Sequence, residues 1–504
     1  MKRLAIVMPP SEMLADDRVF IYIGPVQIAT VARDVGRWDV QVVDLTGHAL
    51  RCEAAKRRER TDDGGAESGR GALRGAVSEQ RFEYHAGPAC LVETWENAER
   101  EIAALCDPDV VGVYALSCQV HAAVKILGLV RRHHPRAKTI LGGPHVAMAP
   151  EAASTLGFDH VVADLGGGGG GEAPLLRLLA RIGRGLDAPS IVRAVPNDVA
   201  LHHWPWAARA LVDVESYRYL LNGERAATVV TQRGCSFICS FCSHTEFYRR
   251  VDFRDPSHVE AELDELRSRF GYRAVMAYDD ETNLNRRHFE ALCDVFKRGG
   301  WLWRGFIKSN LFDEDQARLA AESGAVQLCT GVESADDAMK RHIAKKSTVD
   351  DDTRFVRLCL EHGIAPKCFS IVGLAGESAE TAAKLEAWLL ARIEEGLVDF
   401  DVTINTPYPG TRPFDDLMAT GLHVATPEHG LRLVKRPDFV GSTVHYKTRP
   451  GDYVALIETF DPRTGETLLS AAQLVAWRER IDQTCRDAVA KRGARRATSN
   501  REEG

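Results

Sequence analysis

Three cysteines that lie close together are the residues of this chain best suited to chemistry. Cys235, Cys239 and Cys242 follow one another at spacings of four and three residues, so one short loop can bring their thiolates to a common point. Thiolates are soft ligands that select zinc, copper or iron–sulfur clusters. A structural zinc site needs a fourth ligand, which His244 could supply. Three cysteines and one open position fit a 4Fe–4S cluster better, and this is the favoured interpretation.

Length and composition set the class of protein in which these cysteines act. A chain of 504 residues, 45% of them hydrophobic, is long enough for about two to four domains. The formal net charge of −7 argues against a general nucleic-acid-binding function. No apolar run reaches the roughly 18 residues of a membrane-spanning helix, and residues 1–10 fit a buried strand better than a signal peptide. Twelve cysteines, of which only three cluster, favour a reducing, cytoplasmic location.

The first part of the chain, residues 1–185, predicts an open α/β sheet. Strand-like segments alternate with helices, and the strands lie at residues 3–9, 40–44, 110–116, 138–141 and 160–164. This alternation is typical of a doubly wound, flavodoxin-like parallel sheet, in which ligands bind at the carboxyl ends of the strands. The sequence places Ser117, Gly142, Gly143 and the glycine run 166–171 at those ends. Glycine lets the backbone approach a large flat ligand closely.

A second set of parallel strands is predicted for residues 226–420. Six strand-like segments end in polar residues, at positions 228–231, 274–278, 304–308, 326–330, 368–372 and 400–404. Six such units favour a partial (β/α)6 barrel, whose catalytic groups gather at the carboxyl ends of the strands. Residues 186–225 are interpreted as a linker and residues 421–504 as a small α+β cap with a frayed end over 492–504. Residues 51–80, rich in charged residues and glycine, are predicted to form a flexible insertion.

The cysteine loop and the strand ends of residues 226–420 resemble the radical S-adenosylmethionine superfamily. The resemblance rests on CxxxCxxC with an aromatic residue before the last cysteine, and on the segments Asp279-Asp280-Glu281, Gly331-Val332-Glu333-Ser334, Gly373-Leu374-Ala375-Gly376-Glu377-Ser378 and Tyr408-Pro409-Gly410-Thr411. It implies that the three cysteines hold a 4Fe–4S cluster whose open iron chelates S-adenosylmethionine. It further implies that this cofactor contacts Phe241, Asp280, Ser309, Glu333 and Ser334. The acids could instead cap a helix or remain solvated at a strand end.

Residues 1–185 resemble the cobalamin-binding domain that precedes many radical S-adenosylmethionine domains. The resemblance rests on Gly142-Gly143-Pro144-His145 and on the turn from Gly171 into a helix at Glu172. It implies a cobalamin site at Ser117, Gly142, Gly143 and Glu172. The motif Asp-x-His-x-x-Gly, whose histidine ligates cobalt in some relatives, is absent, so cobalt without a histidine ligand is expected. The alternative is a flavodoxin-like domain that only packs against its neighbour.

Together the two resemblances imply a cobalamin-dependent radical S-adenosylmethionine enzyme. A 5′-deoxyadenosyl radical would abstract hydrogen, and methylcobalamin would supply a methyl group to an unactivated carbon of a small molecule. Two alternatives stay open, namely oxidative cyclisation or ring rearrangement by the same cofactors, and an iron–sulfur electron carrier or sensor. An electron donor such as flavodoxin or ferredoxin is expected, whereas neither a nucleic-acid partner nor a membrane span is expected. No catalytic residue is assigned beyond the cofactor-binding ones.

Overall fold

Parallel strands form the two main sheets of the protein. The computed structural model describes residues 1–10, 19–47, 88–163, 170–195, 201–243, 251–412, 414, 430–435 and 456–502. The predicted insertion at 51–80 lies outside these residues, as do His244 and positions 166–169 of the glycine run. None of the described helices is long and apolar enough to cross a membrane.

The first sheet consists of β1 (Arg3–Met8), β2 (Asp39–Asp44), β3 (Val110–Tyr114), β4 (Lys138–Gly142), β5 (His160–Ala163) and β6 (Ile191–Arg193). All neighbours are parallel, in the order β2-β1-β3-β4-β5-β6. The predicted doubly wound sheet is confirmed. Strand β6 adds to the five predicted strands, because three residues are too few for the alternation that identifies a strand.

Helices cover both faces of this sheet. They are α1 (Ile23–Asp34), α2 (Pro88–Ala103), α3 (Val120–His133), α4 (Pro144–Met148), α5 (Pro150–Ser154) and α6 (Glu172–Gly183). Helix α1 packs with α6, and α2 packs with α3. Because β1 lies between β2 and β3, the chain direction along the sheet reverses at β1, and such a switch point opens a crevice at the carboxyl edge.

The second sheet is a partial barrel. The strands of this region are β7 (Leu220–Leu221), β8 (Glu224–Val229), β9 (Gln232–Arg233), β10 (Asp252–Phe253), β11 (Ala274–Ala277), β12 (Leu302–Phe306), β13 (Ala325–Glu333), β14 (Ala365–Val372) and β15 (Asp399–Ile404). The barrel order is β15-β14-β13-β12-β11-β8-β7, with the six long strands parallel and β7 antiparallel to β8. The predicted partial (β/α)6 barrel is confirmed. Strands β9 and β10 form a separate hairpin.

Helices on the outside of the barrel bury one side of each strand. They are α7 (Pro256–Phe270), α8 (Arg286–Gly299), α9 (Glu314–Glu322), α10 (Asp337–His342), α11 (Val349–Glu361) and α12 (Ala379–Glu395). Their outer core includes Trp303, Phe289 and Phe355, all fully buried. Along β14 and β15 the side chains alternate between buried and half-exposed, so the inward row faces an accessible lumen.

The C-terminal cap contains an antiparallel sheet of β16 (Leu431–Lys435), β17 (Leu456–Phe460) and β18 (Thr467–Leu469), followed by α13 (Ala471–Glu502). Helix α13 covers the barrel edge at β15, where Arg478 Nε donates to the carbonyl oxygen of Val402 (3.2 Å). The prediction of a frayed end is wrong for residues 492–502. Helix α13 continues to Glu502, and Arg492 donates to carbonyl oxygens at the C-terminus of α12, where a cation is favoured by the helix dipole.

The segment interpreted as a linker contacts both sheets. Tyr217 donates to Asp44 Oδ2 at the end of β2 (2.6 Å). Arg209 pairs with Glu262 of α7 (2.8 Å), and both side chains are buried. Because buried ion pairs are costly to break, this segment holds the first sheet against the barrel. The domain boundaries at 185, 225 and 420 stay predictions.

Candidate cofactor site

The cysteine loop starts at the carboxyl end of the barrel and runs between β9 and β10. Cys239 is buried, whereas Cys235 and Cys242 are half-buried, and none of the three forms a disulfide bond with a described residue. The amide of Ser240 donates to the carbonyl oxygen of Ile343 (2.9 Å), and this bond ties the loop to the end of α10. The loop is therefore fixed against the barrel at its middle.

The three thiols fit an iron–sulfur cluster better than a single zinc ion. Burial raises the pKa of the Cys235 thiol to about 11, so a bound metal has to replace the proton. Among the described residues, no three His, Cys, Asp or Glu side chains converge closely enough to hold one metal ion. Thiolates that bind different irons of a cluster need not converge on one ion. His244, the fourth ligand of the zinc alternative, lies outside the described residues.

Two acids after β11 hold the backbone that leads into the cysteine loop. Asp279 accepts hydrogen bonds from the amides of Thr231 (2.6 Å) and Gln232 (3.0 Å) and from the Thr231 hydroxyl (2.5 Å). Burial raises the pKa of Asp279 to about 6. Asp280 accepts from the amide of Gly234 (2.6 Å), whose φ of +94° turns the chain toward the first cysteine. Asp280 thus positions the loop, and its contact with S-adenosylmethionine stays a prediction.

Two aromatic residues of the loop also contact the barrel. Phe241 packs in a small apolar cluster with Met339, Ile343 and Leu374. Phe237 lies against Lys308, whose Nζ is 4.4 Å from the ring centroid. A desolvated cation over an aromatic ring stabilises such a contact. Phe241 therefore anchors the loop, and its predicted contact with the cofactor is untested.

Glu333 ends β13 in a conformation that is unusual for its residue type. Its φ is +64°, in the left-handed region that residues other than glycine rarely adopt, and such strain clusters at functional sites. The residue is only 7% exposed and pairs with Lys345 (Oε1–Nζ, 3.1 Å). Burial lowers the pKa of Lys345, but the charges of Glu333 and Cys239 outweigh burial and raise it overall. A permanently charged lysine therefore lies beside both Glu333 and the cysteine loop.

The two serines predicted to contact S-adenosylmethionine are fully buried. The Ser309 hydroxyl donates to Asp352 (2.6 Å), which pairs with Lys340, and Lys340 also donates to the carbonyl oxygen of Val332 (2.8 Å). The Ser334 hydroxyl has no hydrogen-bond partner in the described part of the chain. A buried polar group without a partner calls for an explanation, and a ligand is one. Both contacts stay predictions.

The carboxyl edge of the first sheet borders a cavity of about 170 Å³. Its wall is mostly apolar and includes Leu4, Ile6, Gly24, Pro25, Ile28, Gly112, Tyr114, Ile140, Gly142, Gly143, Glu172, Leu175 and Arg233. A Cβ at Gly142 would meet no atom of the described residues within 4 Å, so these residues leave the space in front of Gly142 open. Gly143 has φ +108°, and a Cβ there would lie 2.7 Å from the carbonyl oxygen of Ala115. The backbone itself therefore requires glycine at position 143.

Ser117 and His145 lie beside this cavity without lining it. The Ser117 hydroxyl and His145 Nδ1 form a hydrogen bond of 3.0 Å. Burial lowers the pKa of His145 to about 4, so the ring is neutral near pH 7. No histidine is among the described residues that line the cavity. Of the predicted cobalamin contacts, the structure brings Gly142, Gly143 and Glu172 together and leaves Ser117 outside the wall.

One ion pair joins the cavity to the cysteine loop. Glu172 opens α6, is 1% exposed, and its Oε1 accepts from Arg233 Nη2 (2.7 Å). Its Oε2 is buried and has no hydrogen-bond partner among the described residues. Arg233 ends β9, two residues before Cys235. Arg233 was not among the site residues predicted from the sequence. Its position just before the cysteine motif is the one signal that could have identified it, because its partner Glu172 lies 61 residues away in the first domain.

Family models match both halves of the chain. The radical SAM superfamily model matches residues 229–389, and the B12 binding domain model matches residues 68–169. The chain belongs to the cobalamin-dependent radical S-adenosylmethionine enzymes. The family resemblance predicted from the sequence is confirmed, and the cofactors of this family are a 4Fe–4S cluster, S-adenosylmethionine and cobalamin.

Individual relatives are distant in sequence. The anaerobic magnesium-protoporphyrin IX monomethyl ester cyclase of Rubrivivax gelatinosus is 27% identical over 321 residues, which are 59% of this chain and 56% of the relative. An uncharacterised methyltransferase of Pyrococcus horikoshii is 26% identical over 332 residues, which are 63% of this chain and 71% of the relative. The chain thus matches little more than half the length of the cyclase. Other matched relatives are named as methyltransferases.

A solved structure shares the whole architecture. The radical S-adenosylmethionine methyltransferase TsrM from Kitasatospora setae, solved with cobalamin and a 4Fe–4S cluster, aligns with a TM-score of 0.64 at 19% identity. The alignment covers 95% of this chain and 89% of the other. At this identity the likeness shows that the fold is the same.

Proposed function

We propose that this enzyme uses cobalamin to methylate an unactivated carbon of a small molecule. The observation that carries the proposal is that Arg233 lines the cavity of the first domain and directly precedes the cysteine loop. Chemistry that combines two cofactors requires that they be held close together in a fixed geometry. Relatives named as methyltransferases support methyl transfer as the outcome.

When bound, the cluster and S-adenosylmethionine supply a carbon-centred radical, and cobalamin supplies a methyl group. The protein's own contribution is to hold the sites. Asp279 and Asp280 fix the backbone before Cys235 through four hydrogen bonds. Lys345 places a positive charge beside Cys239, where an iron–sulfur cluster would carry negative charge.

The cavity of the first domain fits part of a corrinoid. Its apolar wall suits a flat organic group, and Gly142 leaves open space at the strand end. The unpaired Oε2 of Glu172 suits an amide N–H, and cobalamin carries several amide side chains. A buried acceptor without a partner costs about 1–3 kcal/mol, which a ligand amide would offset. Since no described residue of the wall is a histidine, this wall would hold a corrinoid without offering an imidazole to it.

The side chains that face the barrel lumen suit a small organic substrate. Phe306 and Phe369 stack inside it, with ring centroids 6.2 Å apart and planes inclined by 21°. Deeper along the same strands, Lys367 is paired with Asp399 (2.8 Å). The lumen thus combines an aromatic layer, which packs against apolar groups, with a charged layer that is already neutralised.

The test is an anaerobic reaction with reconstituted enzyme, dithionite, S-adenosylmethionine, hydroxocobalamin and candidate substrates. Mass spectrometry measures 5′-deoxyadenosine, S-adenosylhomocysteine and the substrate mass. Methylation predicts both adenosyl products and a gain of one methylene in mass. The matched control is the protein with Cys235, Cys239 and Cys242 replaced by alanine, which should form neither product.

The same assay discriminates the alternatives. 5′-Deoxyadenosine without S-adenosylhomocysteine would contradict methylation and favour oxidative cyclisation or rearrangement, as in the relative named as a cyclase. Neither product, with an intact cluster, would favour an electron carrier or sensor. A reductant is required in every case, and flavodoxin or ferredoxin stays the predicted donor. The cytoplasmic location also stays a prediction.

A further inference from the structure

We infer that the Glu172–Arg233 ion pair couples occupancy of the cobalamin cavity to the state of the cysteine loop. The inference rests on the proposed function only in taking this cavity as the cobalamin site. It adds a role that neither cofactor assignment contains, because the two binding events would then depend on each other through two named residues.

The pair is held tightly at the boundary of the two domains. The Glu172 side chain is 1% exposed and that of Arg233 is 13% exposed, and their oxygen and nitrogen atoms are 2.7 Å apart. Removing one partner of a buried pair leaves an uncompensated charge, which is strongly destabilising. Glu172 also opens α6, and a negative charge at a helix N-terminus is favoured by the helix dipole. Movement of either side chain therefore requires movement of the other.

Arg233 transmits this constraint to the cysteines through a short stretch of fixed backbone. It pairs with Asp252 in the β9–β10 hairpin, which brackets the cysteine loop. The next residue, Gly234, donates its amide to Asp280 (2.6 Å) and holds φ at +94°. Cys235 follows directly. A displacement of the Arg233 side chain thus acts on the entrance of the loop.

Glu172 belongs both to the ion pair and to the wall of the cavity. Its Oε2 is buried without a hydrogen-bond partner among the described residues, and Glu172 lines the cavity. Gly170 has φ +85°, and a Cβ there would overlap both Glu172 Oε2 and Arg233 Nη1, so the backbone covers the pair closely. A hydrogen bond donated by a ligand to Glu172 Oε2 would weaken the attraction between the Glu172 carboxylate and the Arg233 guanidinium. Cobalamin binding is therefore linked to the cysteine loop, and the linkage is reciprocal.

The experiment measures the dissociation constant of hydroxocobalamin by absorbance titration of two forms of the full-length protein, apo and cluster-reconstituted. Coupling predicts that the two constants differ by about 5-fold or more, the usual lower bound for linked sites. In the double variant Glu172→Gln/Arg233→Gln the ratio should fall to about one while cobalamin still binds. The paramagnetic resonance spectrum of the reduced cluster should change on adding cobalamin in the natural protein and stay unchanged in the double variant.

The matched control is Tyr217→Phe, which removes a hydrogen bond to the first sheet outside the cavity and should keep the natural ratio. If the double variant does not fold, Glu172→Gln alone keeps the shape and an acceptor for Arg233, and it should lower the ratio. An equal affinity in both forms of the natural protein, or an unchanged ratio in the variants, would overturn the inference. Loss of cobalamin binding by both forms of the double variant would overturn it too, because the pair would then be a simple contact.

These outcomes separate the inference from the proposed function. The titrations need neither substrate nor turnover. A natural protein that binds no cobalamin contradicts the proposed methylation, whereas binding without a difference between the two forms contradicts only the coupling.

Discussion

The three clustered cysteines carry the most direct test at the level of single residues. Replacing Cys235, Cys239 and Cys242 by alanine should abolish cluster assembly, because each thiolate would bind a different iron. The natural protein should hold about four irons and four sulfides per chain, the composition of a cubane cluster. Chemical analysis of iron and sulfide measures the cluster content per chain, and the visible absorbance spectrum shows whether the cluster is present.

Cys106 provides the control for this prediction, since it is exposed and lies in the first domain. The variant Cys106→Ser should keep the full iron content. Retention of the cluster by the triple variant would show that the ligands have been assigned to the wrong residues.

Glu333 gives a second residue-level prediction through its partner. Glu333→Ala removes the carboxylate with which the buried Lys345 is paired, and breaking a buried pair in this way costs about 3–5 kcal/mol of unfolding free energy. The double variant Glu333→Ala/Lys345→Met should recover part of that loss, because neither charge of the pair remains. Denaturant unfolding of the four proteins in this cycle measures the coupling.

Affinity for S-adenosylmethionine distinguishes a structural role of Glu333 from a binding role. If Glu333 contacts the cofactor, the double variant stays weak in binding although its stability is restored. Natural affinity in the double variant would assign Glu333 to stability alone.

Sequence reasoning reaches single residues only where the chain itself brings them together. The cysteines could be predicted because their spacing confines them to one loop. Ser117 could be placed at a strand end, but its hydroxyl meets His145 and not the cavity. The roles of Arg233 and Lys345 could not be predicted, because both depend on how the chain folds back. Arg233 pairs with Glu172, 61 residues away, and Lys345 pairs with Glu333, 12 residues away on the other side of α10.

At the level of elements, the two adjacent glycines at the end of β4 are expected to have different roles, Gly142 facing the ligand and Gly143 allowing the backbone conformation. Gly142→Val should leave the fold intact, because its Cβ enters open space, and should weaken cobalamin binding at least about tenfold by filling the cavity mouth. Gly143→Val should misfold, because of its φ of +108° and its contact with Ala115. Cobalamin titration and circular dichroism make the two measurements.

Gly128→Val is the control for these substitutions, since Gly128 lies on α3 with nothing within 4 Å of an added Cβ and does not line the cavity. The cob(II)alamin bound to the natural protein should show no nitrogen splitting from a protein ligand in its paramagnetic resonance spectrum. Such a splitting would contradict a cavity without histidine, and unchanged affinity in Gly142→Val would move the ligand elsewhere.

The turn between β14 and α12 carries a buried acid that makes stability depend on pH. Glu377 is fully buried, one oxygen accepts from the Gly373 amide, and the other has no partner among the described residues. Burial raises the pKa of Glu377 to about 8. The folded protein thus holds one more proton than the unfolded chain between the ordinary carboxyl pKa and 8. The contribution to stability is present at low pH and is lost as the pH rises through 8.

Glu377→Gln should therefore be more stable than the natural protein at pH 9 by an amount on the order of several kcal/mol, since one pKa unit corresponds to about 1.4 kcal/mol. The advantage should shrink toward pH 5. Denaturant midpoints at both pH values measure it. A pH-independent difference for Glu377→Gln would refute the buried ionisable acid.

The presence of a strand or helix was easier to predict than the residues at which it begins and ends. Strands of both sheets show apolar runs that the sequence displays directly, such as β1 and β11. Strand β6 is too short to show such a run, and Arg492 of α13 contacts a carbonyl oxygen of α12 that lies 98 residues away in the chain. Contacts between elements decide both features, and they are invisible in a local stretch of sequence.

At the scale of the whole molecule, α13 protects the open edge of the barrel. Edge strands expose unpaired backbone groups that invite pairing with another chain. Removing residues 471–502 should therefore expose β15 together with the apolar surface that Ile481 and Cys485 cover, and the protein should self-associate. Light scattering after size-exclusion chromatography measures this. A deletion that removes only residues 490–502 keeps both apolar residues and should retain the natural size. Equal size in both truncations would contradict the protective role.

The ion pair across the domain boundary has a consequence for protein engineering. A chimera that takes its first domain from a relative receives a new residue opposite Arg233. If that residue is neutral, the guanidinium of Arg233 is left between the domains without its carboxylate partner. Modular exchange of the first domain should therefore succeed only when residues 170–172 and position 233 are transplanted as one unit. Libraries that cut between the domains and vary both sides independently would lose most members to this mismatch.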